Sequence, residues 1–536
     1  MAEDEEKTAG GYMPAAVPNT SPSHHNENAS DDTSDEKLLL TEDEAWSRAR
    51  KRPDVALPIY LIFSPDDKDN PRNWPAWKRW YIGCFVNWLN VLTCWCAGSI
   101  SSGAEEIQAD FHVSAEVTTL CLSMYILGFA VGPLLLAPLS EHLGRRPVYV
   151  ASWFCLVLFN MAIALAPNIG TILVCRFLAG FAGSAPLTNT GGSISDLFKR
   201  DECGGIMAVY GLSSTLGPPS ALPISGYMAQ NLGWRWIFWI LMAITGGFWI
   251  LLFFTVPETR HSIVLRKKVK RVRREMKKED LATANSIKDV NADEHDTLGS
   301  VAHRTLTRPI RFLFTEPITV FAAVYNGFLF GLVFLFNEAF PLVFGPGGHG
   351  FDTGQVGLSF LGLTIGPIIA FCFYPLQERY YLSRVAANAG KAVPEARVWM
   401  ARAGAFLIPI SLFWFAWTSF ASVHWIVPII ASVFFGAGIY IIILSILNYV
   451  VDAYQTYSAS ALAGVILARN ITGAAFPLFA EQMYKKLGLE WASSLLGFLA
   501  ILLIPIPFIL FYRGEAIRLR SPWAREHFEQ DEDVPH

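Results

Sequence analysis

Two long stretches of this chain are almost free of charge, and nothing else in it limits the fold so strongly. Asp, Glu, Lys and Arg make up 16% of the 536 residues, against about 25% in ordinary soluble domains. The deficit is uneven. Residues 1–79 hold 16 acids and 10 bases, residues 80–256 hold 8 acids and residues 317–512 only 7. A membrane-crossing helix needs about 20 mostly apolar residues, so each block has room for about six spans. This excludes an ordinary soluble enzyme, a disordered scaffold and a nucleic-acid binder. The net charge of −4 says nothing about partners, because the charges sit in tails and loops.

The sequence therefore predicts an all-α integral membrane protein with twelve transmembrane helices. Apolar spans fall at about 80–103, 117–140, 147–166, 171–195, 204–228, 235–256, 317–344, 354–376, 401–420, 424–449, 457–482 and 491–512. Residues 80–256 form one six-helix half and 317–512 the other. Residues 257–316 form a basic linker, and 513–536 a charged C-tail. Residues 1–79 form an N-tail rich in Ser, Asn, Asp and Glu, expected to be unstructured to about residue 55. Its end, FSPDDKDNPRNWPAWKRW (63–80), suits an interfacial anchor. No apolar signal-peptide core precedes the first span, which is expected to act as the membrane signal itself. Placing both termini and the linker in the cytosol puts 37 Lys and Arg inside and only Arg235, Lys485 and Lys486 outside. That asymmetry sets the predicted orientation.

The eight Cys lie mostly in apolar runs, with no CxxC pair and no His at metal spacing. They read as small hydrophobes, not as a disulfide framework or a metal site. There is no HExxH, GxSxG or Walker loop, which disfavours an enzyme and excludes ATP as the energy source. The halves also echo each other. SDLFKRDECGGIMAVYGLSSTLGP (195–218) aligns without gaps on VDAYQTYSASALAGVILARNITGA (451–474), and GFAVGP (128–133) matches GLTIGP (362–367). Coincidence among small and apolar residues is the plainer alternative. Together the matches predict two pseudo-symmetric halves, a transporter architecture.

PLSEHLGRRPVYV (138–150) resembles the loop between helices 2 and 3 of the major facilitator superfamily, with Glu141, Gly144, Arg145 and Arg146 matching and Ala137 in place of the usual leading Gly. RFLAGFAGSAPLTNTGGSISDLF (176–198) resembles the helix-4 motif of its twelve-span drug:proton antiporter group. NPRNWPAWKRW (70–80), VPETR (256–260), PEARV (394–398), FWFAWTS (413–419), VHWI (423–426), NYVVDAY (448–454) and AAFPLFAEQMYKKLGLEWASSLLG (474–497) extend the likeness to fungal members. LGPPSALPISGYM (216–228) resembles the antiporter motif of helix 5 at Gly217, Pro218 and Gly226. Ala221, Leu222 and Ser225 depart from it. The resemblance implies the major facilitator fold and alternating-access transport of a small organic solute: a drug, toxin, secondary metabolite or polyamine. It favours proton-coupled efflux over uptake, with a non-transporting receptor of the same fold as a further alternative. The expected setting is a plasma-membrane monomer in contact with lipid, without cofactor and powered by the proton gradient.

Several charged residues are candidates for the work. Glu141, Arg145 and Asp196 are expected to form a cytosolic gating network that holds the inner gate shut. By the repeat, Glu378, Arg384 and Asp452 form its counterpart. Ionisable residues inside spans are costly and point to function. Arg176 in span 4 is expected, from the resemblance, to couple protons or structure the central cavity, unless it snorkels to the outer interface. Arg469 in span 11 is a second cavity candidate. Glu338 is the only acid deep within a C-half span and the candidate proton carrier, unless it lies at the outer mouth; Glu105 and Glu106 read as rim residues. Trp95, Tyr125, Phe129, Tyr210, Tyr325, Phe330 and Tyr440 are collectively expected to line the cavity, suiting planar, apolar or cationic solutes. The Lys- and Arg-rich run over 266–278 is expected to form an amphipathic helix on the anionic inner leaflet. The sequons at Asn19, Asn28 and Asn470 are expected to stay unglycosylated in this topology.

Overall fold

The computed structural model describes residues 38–51, 59–198, 202–277, 287–289, 298–521 and 523–524. The sequons at Asn19 and Asn28 lie outside them. Ten helices are long and apolar enough to cross a membrane among the described residues. They comprise α2 (Ala115–Leu143), α3 (Arg145–Ala164), α4 (Ile169–Leu197) and α6 (Trp234–Thr255) of the first half. In the second half they are α7 (Pro317–Phe344), α8 (Leu361–Ala387, entered through the short helix Thr353–Ser359), α9 (Ala401–Thr418), α10 (Ile426–Tyr454), α11 (Ser458–Leu487) and α12 (Leu489–Leu503, continuing as Pro505–Arg520). Helices α1 (Ala76–Gly98) and α5 (Cys203–Leu232) fill the remaining two places. Their apolar character is diluted by Asn87, Asn90 and Ser213, all of them buried against protein. Asn90 donates to the hydroxyls of Ser213 and Ser214 at 2.9 and 3.0 Å. Protein partners thus replace the lipid that such residues cannot face.

Each half has its own apolar core. Phe330 and Phe334 of α7 and Ala474 of α11 are embedded in that of the first half. The echoed hexapeptides have one structural cause. A β-carbon at Gly128 would fall 2.5 Å from the backbone of Phe177 and Phe181, so α2 rests on α4. At the matching repeat position, α8 rests on α10: Gly362 and Gly366 meet the backbone of Ile429, Val433 and Ala437. Small residues let membrane helices approach to backbone contact.

We call the end of the bundle carrying the linker the linker side, and the other the far side. On the linker side the tail departs from expectation. Strands β1 (Leu38–Leu40), β2 (Ile59–Leu61) and β3 (Ile287–Asp289) form a parallel sheet in that order. Between β1 and β2 the tail helix Glu42–Lys51 is folded within the segment expected to be unstructured. The linker helix His261–Met276 turns Leu265, Val269, Val272 and Met276 onto Ala45, Leu61 and Ile287. The basic helix therefore spends its apolar face on the N-tail, not on lipid. Its buried Lys268 pairs with Glu42 at 2.7 Å and with Asp67. Burial opposes that charge, but the two carboxylates outweigh it and hold the ammonium above its ordinary value. The periodicity marked the helix; a partner from a polar, acidic tail left no apolar signal.

The glycine contacts set an expectation for stability. Gly366→Val should destabilise the detergent-solubilised protein by about 1–3 kcal/mol through overpacking. Gly247→Ala, where a β-carbon meets nothing within 4 Å, should leave thermal unfolding unchanged or slightly raised.

Candidate functional site

On the linker side, Arg145 opens α3 and its side chain is 6% exposed. Its Nη1 donates to Ser140 Oγ at 2.6 Å, its Nε faces Asp196 at 3.4 Å and its Nη2 stands 3.7 Å from the half-exposed Glu141. Arg260 approaches the other Asp196 oxygen at 3.5 Å. Gly144, at φ +103°, turns the chain into α3 in a region that disfavours side chains. Its space is closed by Glu258, whose carboxylate accepts the backbone N–H of Arg145 at 2.8 Å and of Arg146 at 3.2 Å. Arg146 itself donates to the Phe253 carbonyl at 2.7 Å. Glu258 thus caps α3, where an acid is favoured. It belongs to the VPETR segment, and an acid just past an apolar span was the signal available for it.

The second half has an equivalent cage, with one correction. Arg384 is exposed on α8, and its contact is the ring of Tyr380, 5.7 Å away. Arg397, just before α9, takes the expected role. Its Nε meets Asp452 at 2.8 Å, its Nη1 meets Glu378 at 3.1 Å, and its guanidinium lies 3.3 Å over Tyr381. The Tyr374 hydroxyl donates to Glu378 at 2.7 Å. PEARV carried this residue. Aligning the start of span 9 with that of span 3 would have found it; the acid-to-Arg spacing of the first motif did not transfer.

Both cages lie within their own halves in this conformation: every hydrogen-bond and ion-pair partner above belongs to the half of its arginine or, for Glu258 and Arg260, to the start of the linker that follows it. The expected bridge across the inner gate is made otherwise. On the linker side Ala208, Ala370, Tyr374, Tyr440 and Leu444 form an apolar cluster between α5, α8 and α10, with the Tyr440 hydroxyl donating to the Ala208 carbonyl at 3.2 Å. Glu378 also touches the other half, where a β-carbon at Gly204 would fall 2.7 Å from its carboxylate. On the far side, Gly226 of α5 packs against Thr353 and Gly354, and Gln230 accepts the Gly354 N–H at 2.9 Å. At mid-bundle Asn470 of α11 donates to the Phe129 carbonyl at 2.9 Å. The halves meet on both sides and at mid-bundle.

The two span arginines differ sharply. Arg176 is 0% exposed, and its three nitrogens donate to the carbonyls of Cys121, Cys96 and Ala97 at 3.1, 2.5 and 2.7 Å. The Cys96 and Ala97 carbonyls sit where α1 gives way to a 3-10 turn, Ser99–Gly103, and the Cys121 carbonyl lies within α2. Arg176 therefore fastens α1, α2 and α4, with its guanidinium 4.4 Å over Tyr125. It lies in the far-side third of α4, buried on these carbonyls, and does not snorkel. Arg469 is 3% exposed, lies 4.5 Å over Phe330, and its Nε has no partner.

The aromatic candidates divide. Trp95 donates to Ser220 at 2.8 Å, Tyr210 to the Leu187 carbonyl at 2.5 Å and Tyr125 to the Thr93 carbonyl at 3.1 Å. Phe129 meets Tyr125 edge-on at 4.9 Å. Tyr440 belongs to the linker-side seal, and Tyr325 is buried in the core of the second half. Gly217, beside Cys94, and Pro218, whose carbonyl would lie 3.0 Å from a β-carbon at Gly98, press α5 on α1. Glu338 lies in the far-side third of α7, with its carboxylate beside Thr119 of α2 and Glu481 of α11. It sits at the junction of the halves, not at the centre.

The C-half cage yields a direct contrast. Arg397→Ala leaves the buried Asp452 and the half-buried Glu378 uncompensated and should cost about 3 kcal/mol. Arg384→Ala should stay within about 0.5 kcal/mol, both read as thermal unfolding of the purified protein.

The comparisons with known proteins agree with this geometry. A family model described as Major Facilitator Superfamily matches residues 83–477. An efflux pump of Gibberella moniliformis is 37% identical over 469 residues, covering 88% of this chain and 78% of that protein. A major facilitator superfamily multidrug transporter of Aspergillus fumigatus is 36% identical over 468 residues, covering 87% and 76%. Among solved structures, the xylose transporter of E. coli in a partially occluded inward-open conformation aligns with a TM-score of 0.57 at 15% identity, over 81% of this chain and 98% of that one. That likeness concerns the fold. A multi-pass chain with two six-helix halves, a matching family model and relatives of this similarity belongs to the Major Facilitator Superfamily.

Proposed function

We propose that this transporter exports a small organic solute from the cytosol across the plasma membrane, working as a monomer driven by the inward proton gradient. The observation that carries the reading is the division of labour between cages and seals. Each half is pinned internally by its own arginine cage. The linker-side surfaces between halves are held by apolar contacts and few hydrogen bonds, and the far side by a local glycine contact of Gly226 and Gly357. Such halves can rock as bodies around a midplane site. The excess of Lys and Arg assigns the linker side to the cytosol. Relatives called efflux pumps and multidrug transporters support the outward direction. The small-molecule substrate meets the seam where α1, α5, α7 and α11 converge. No cofactor and no nucleic acid enter the scheme.

Glu338 is the proton carrier in this reading. Its place between α7, α2 and α11 lets gain and loss of one proton alter the far-side junction, since a neutral acid there no longer repels Glu481. Everted membrane vesicles with an acidified interior should accumulate solute against its gradient. Collapsing the pH gradient should abolish the accumulation; unchanged flux removes the coupling claim. Glu338→Gln should lower gradient-driven accumulation at least roughly tenfold, the size of one general proton-transfer role, while sparing solute exchange at equal pH. Accumulation into vesicles of the opposite orientation would assign uptake instead.

A further inference from the structure

Resting on the transport reading above, we propose that Arg469 is the anion-recognising residue of the central site, and that the solute carries a carboxylate on an apolar, aromatic body.

The argument begins with what Arg469 lacks. A guanidinium stays charged at any physiological pH and offers five N–H donors. Inside the bundle that charge must be answered or it destabilises the protein. Arg145 and Arg397 have carboxylates, and Arg176 has three carbonyls. Arg469 makes no hydrogen bond or ion pair among the described residues, and its buried Nε is an orphan. The groups facing its charge are the phenol of Tyr210 and the thiol of Cys94, both neutral at physiological pH. No acid among the described residues is in place to compensate it.

Its location gives that absence a use. Arg469 is twelfth of the thirty residues of α11, and Phe330 beneath it is fourteenth of the twenty-eight of α7. Both are therefore near mid-membrane. Tyr210 and Cys94 belong to the other half, so the guanidinium stands on the seam that alternating access opens. Unsatisfied buried oxygens on Asn90, Thr93 and Asn470 mark the same region as polar and incompletely paired. Phe330 below the guanidinium supplies aromatic surface. A planar carboxylate matches the fork of an arginine in two parallel hydrogen bonds. A cation at this place is repelled, so the site rejects polyamines, against the first expectation from the aromatics alone.

The test uses the purified full chain and three matched probe sets: benzoate, 1-naphthoate and 9-anthracenecarboxylate, each with its carboxamide and its arylmethylammonium analogue. Thermal stabilisation gives binding without transport. At least one carboxylate should bind roughly ten- to a hundredfold more tightly than its amide, the range of a charge-assisted pair, and the ammonium should bind weakest. Arg469→Gln should erase the preference, and Arg469→Lys should keep part of it. The ligand-free Arg469→Gln protein should unfold no earlier than wild type, because an uncompensated charge is removed. Arg176→Gln should unfold earlier. Absence of carboxylate preference in wild type, or its persistence in Arg469→Gln, overturns the proposal. If Arg469→Gln does not fold, the wild-type preference and the Lys variant decide. Carboxylate binding without pH-driven accumulation in vesicles would sink the export reading and leave the anion site standing.

Discussion

A positive charge inside a membrane protein must be answered by something, and the four key arginines of this chain are answered in different ways. Arg145 and Arg397 each hold buried carboxylates at the linker ends of their halves. Arg176 is held by two backbone carbonyls freed where α1 breaks and by one carbonyl of α2. Arg469 has no hydrogen-bond or ion-pair partner among the described residues, and its buried Nε is an orphan. The first three fix helices within a half. The fourth lies between halves, where a fixed partner would lock the molecule. Low dielectric makes each arrangement consequential, because neither satisfied nor unsatisfied charge is screened there.

The packing differs between the two sides. Glycine-mediated backbone contact joins α2 to α4 and α8 to α10 within the halves, and on the far side it also crosses between them, where Gly226 meets Thr353 and Gly357 meets Leu222. On the linker side the halves meet through side-chain clusters such as Tyr440 and Leu444 against Ala208, and at mid-bundle through a single hydrogen bond from Asn470 to Phe129. Close backbone packing resists sliding; apolar side-chain contact without a hydrogen-bonded lattice is easier to part and remake. The tail sheet and the linker helix add a clasp on the linker side through Lys268, Glu42 and Asp67.

The twelve helices and the first cage were legible because hydropathy and charge act locally along the chain. The hexapeptide echo was legible too, although its cause, backbone contact, is visible only in space. The repeat pointed to Arg384 as the counterpart of Arg145. Helix α8 is longer than the analogy assumed, so the residue that returns to Glu378 and Asp452 comes from the next helix start. Glu258 was hidden because capping of α3 is a contact over more than a hundred residues of sequence. The fold of the N-tail escaped since three-residue strands and a polar helix leave no hydrophobic signature of their own. Arg469 was visible as an intramembrane charge, but its lack of a partner is a property of the packed bundle.

The central claim is that two internally pinned halves move against each other. Spin labels offer the most direct measurement, with distances between Leu143 and Leu382 across the halves, and between Leu143 and Phe254 or Leu382 and Tyr512 within them, all at exposed positions. Recorded in lipid nanodiscs across a pH titration, the account predicts that the first distance separates into two populations whose ratio changes. The two distances within halves should stay single and fixed. Movement within the halves at a constant distance between them would contradict it.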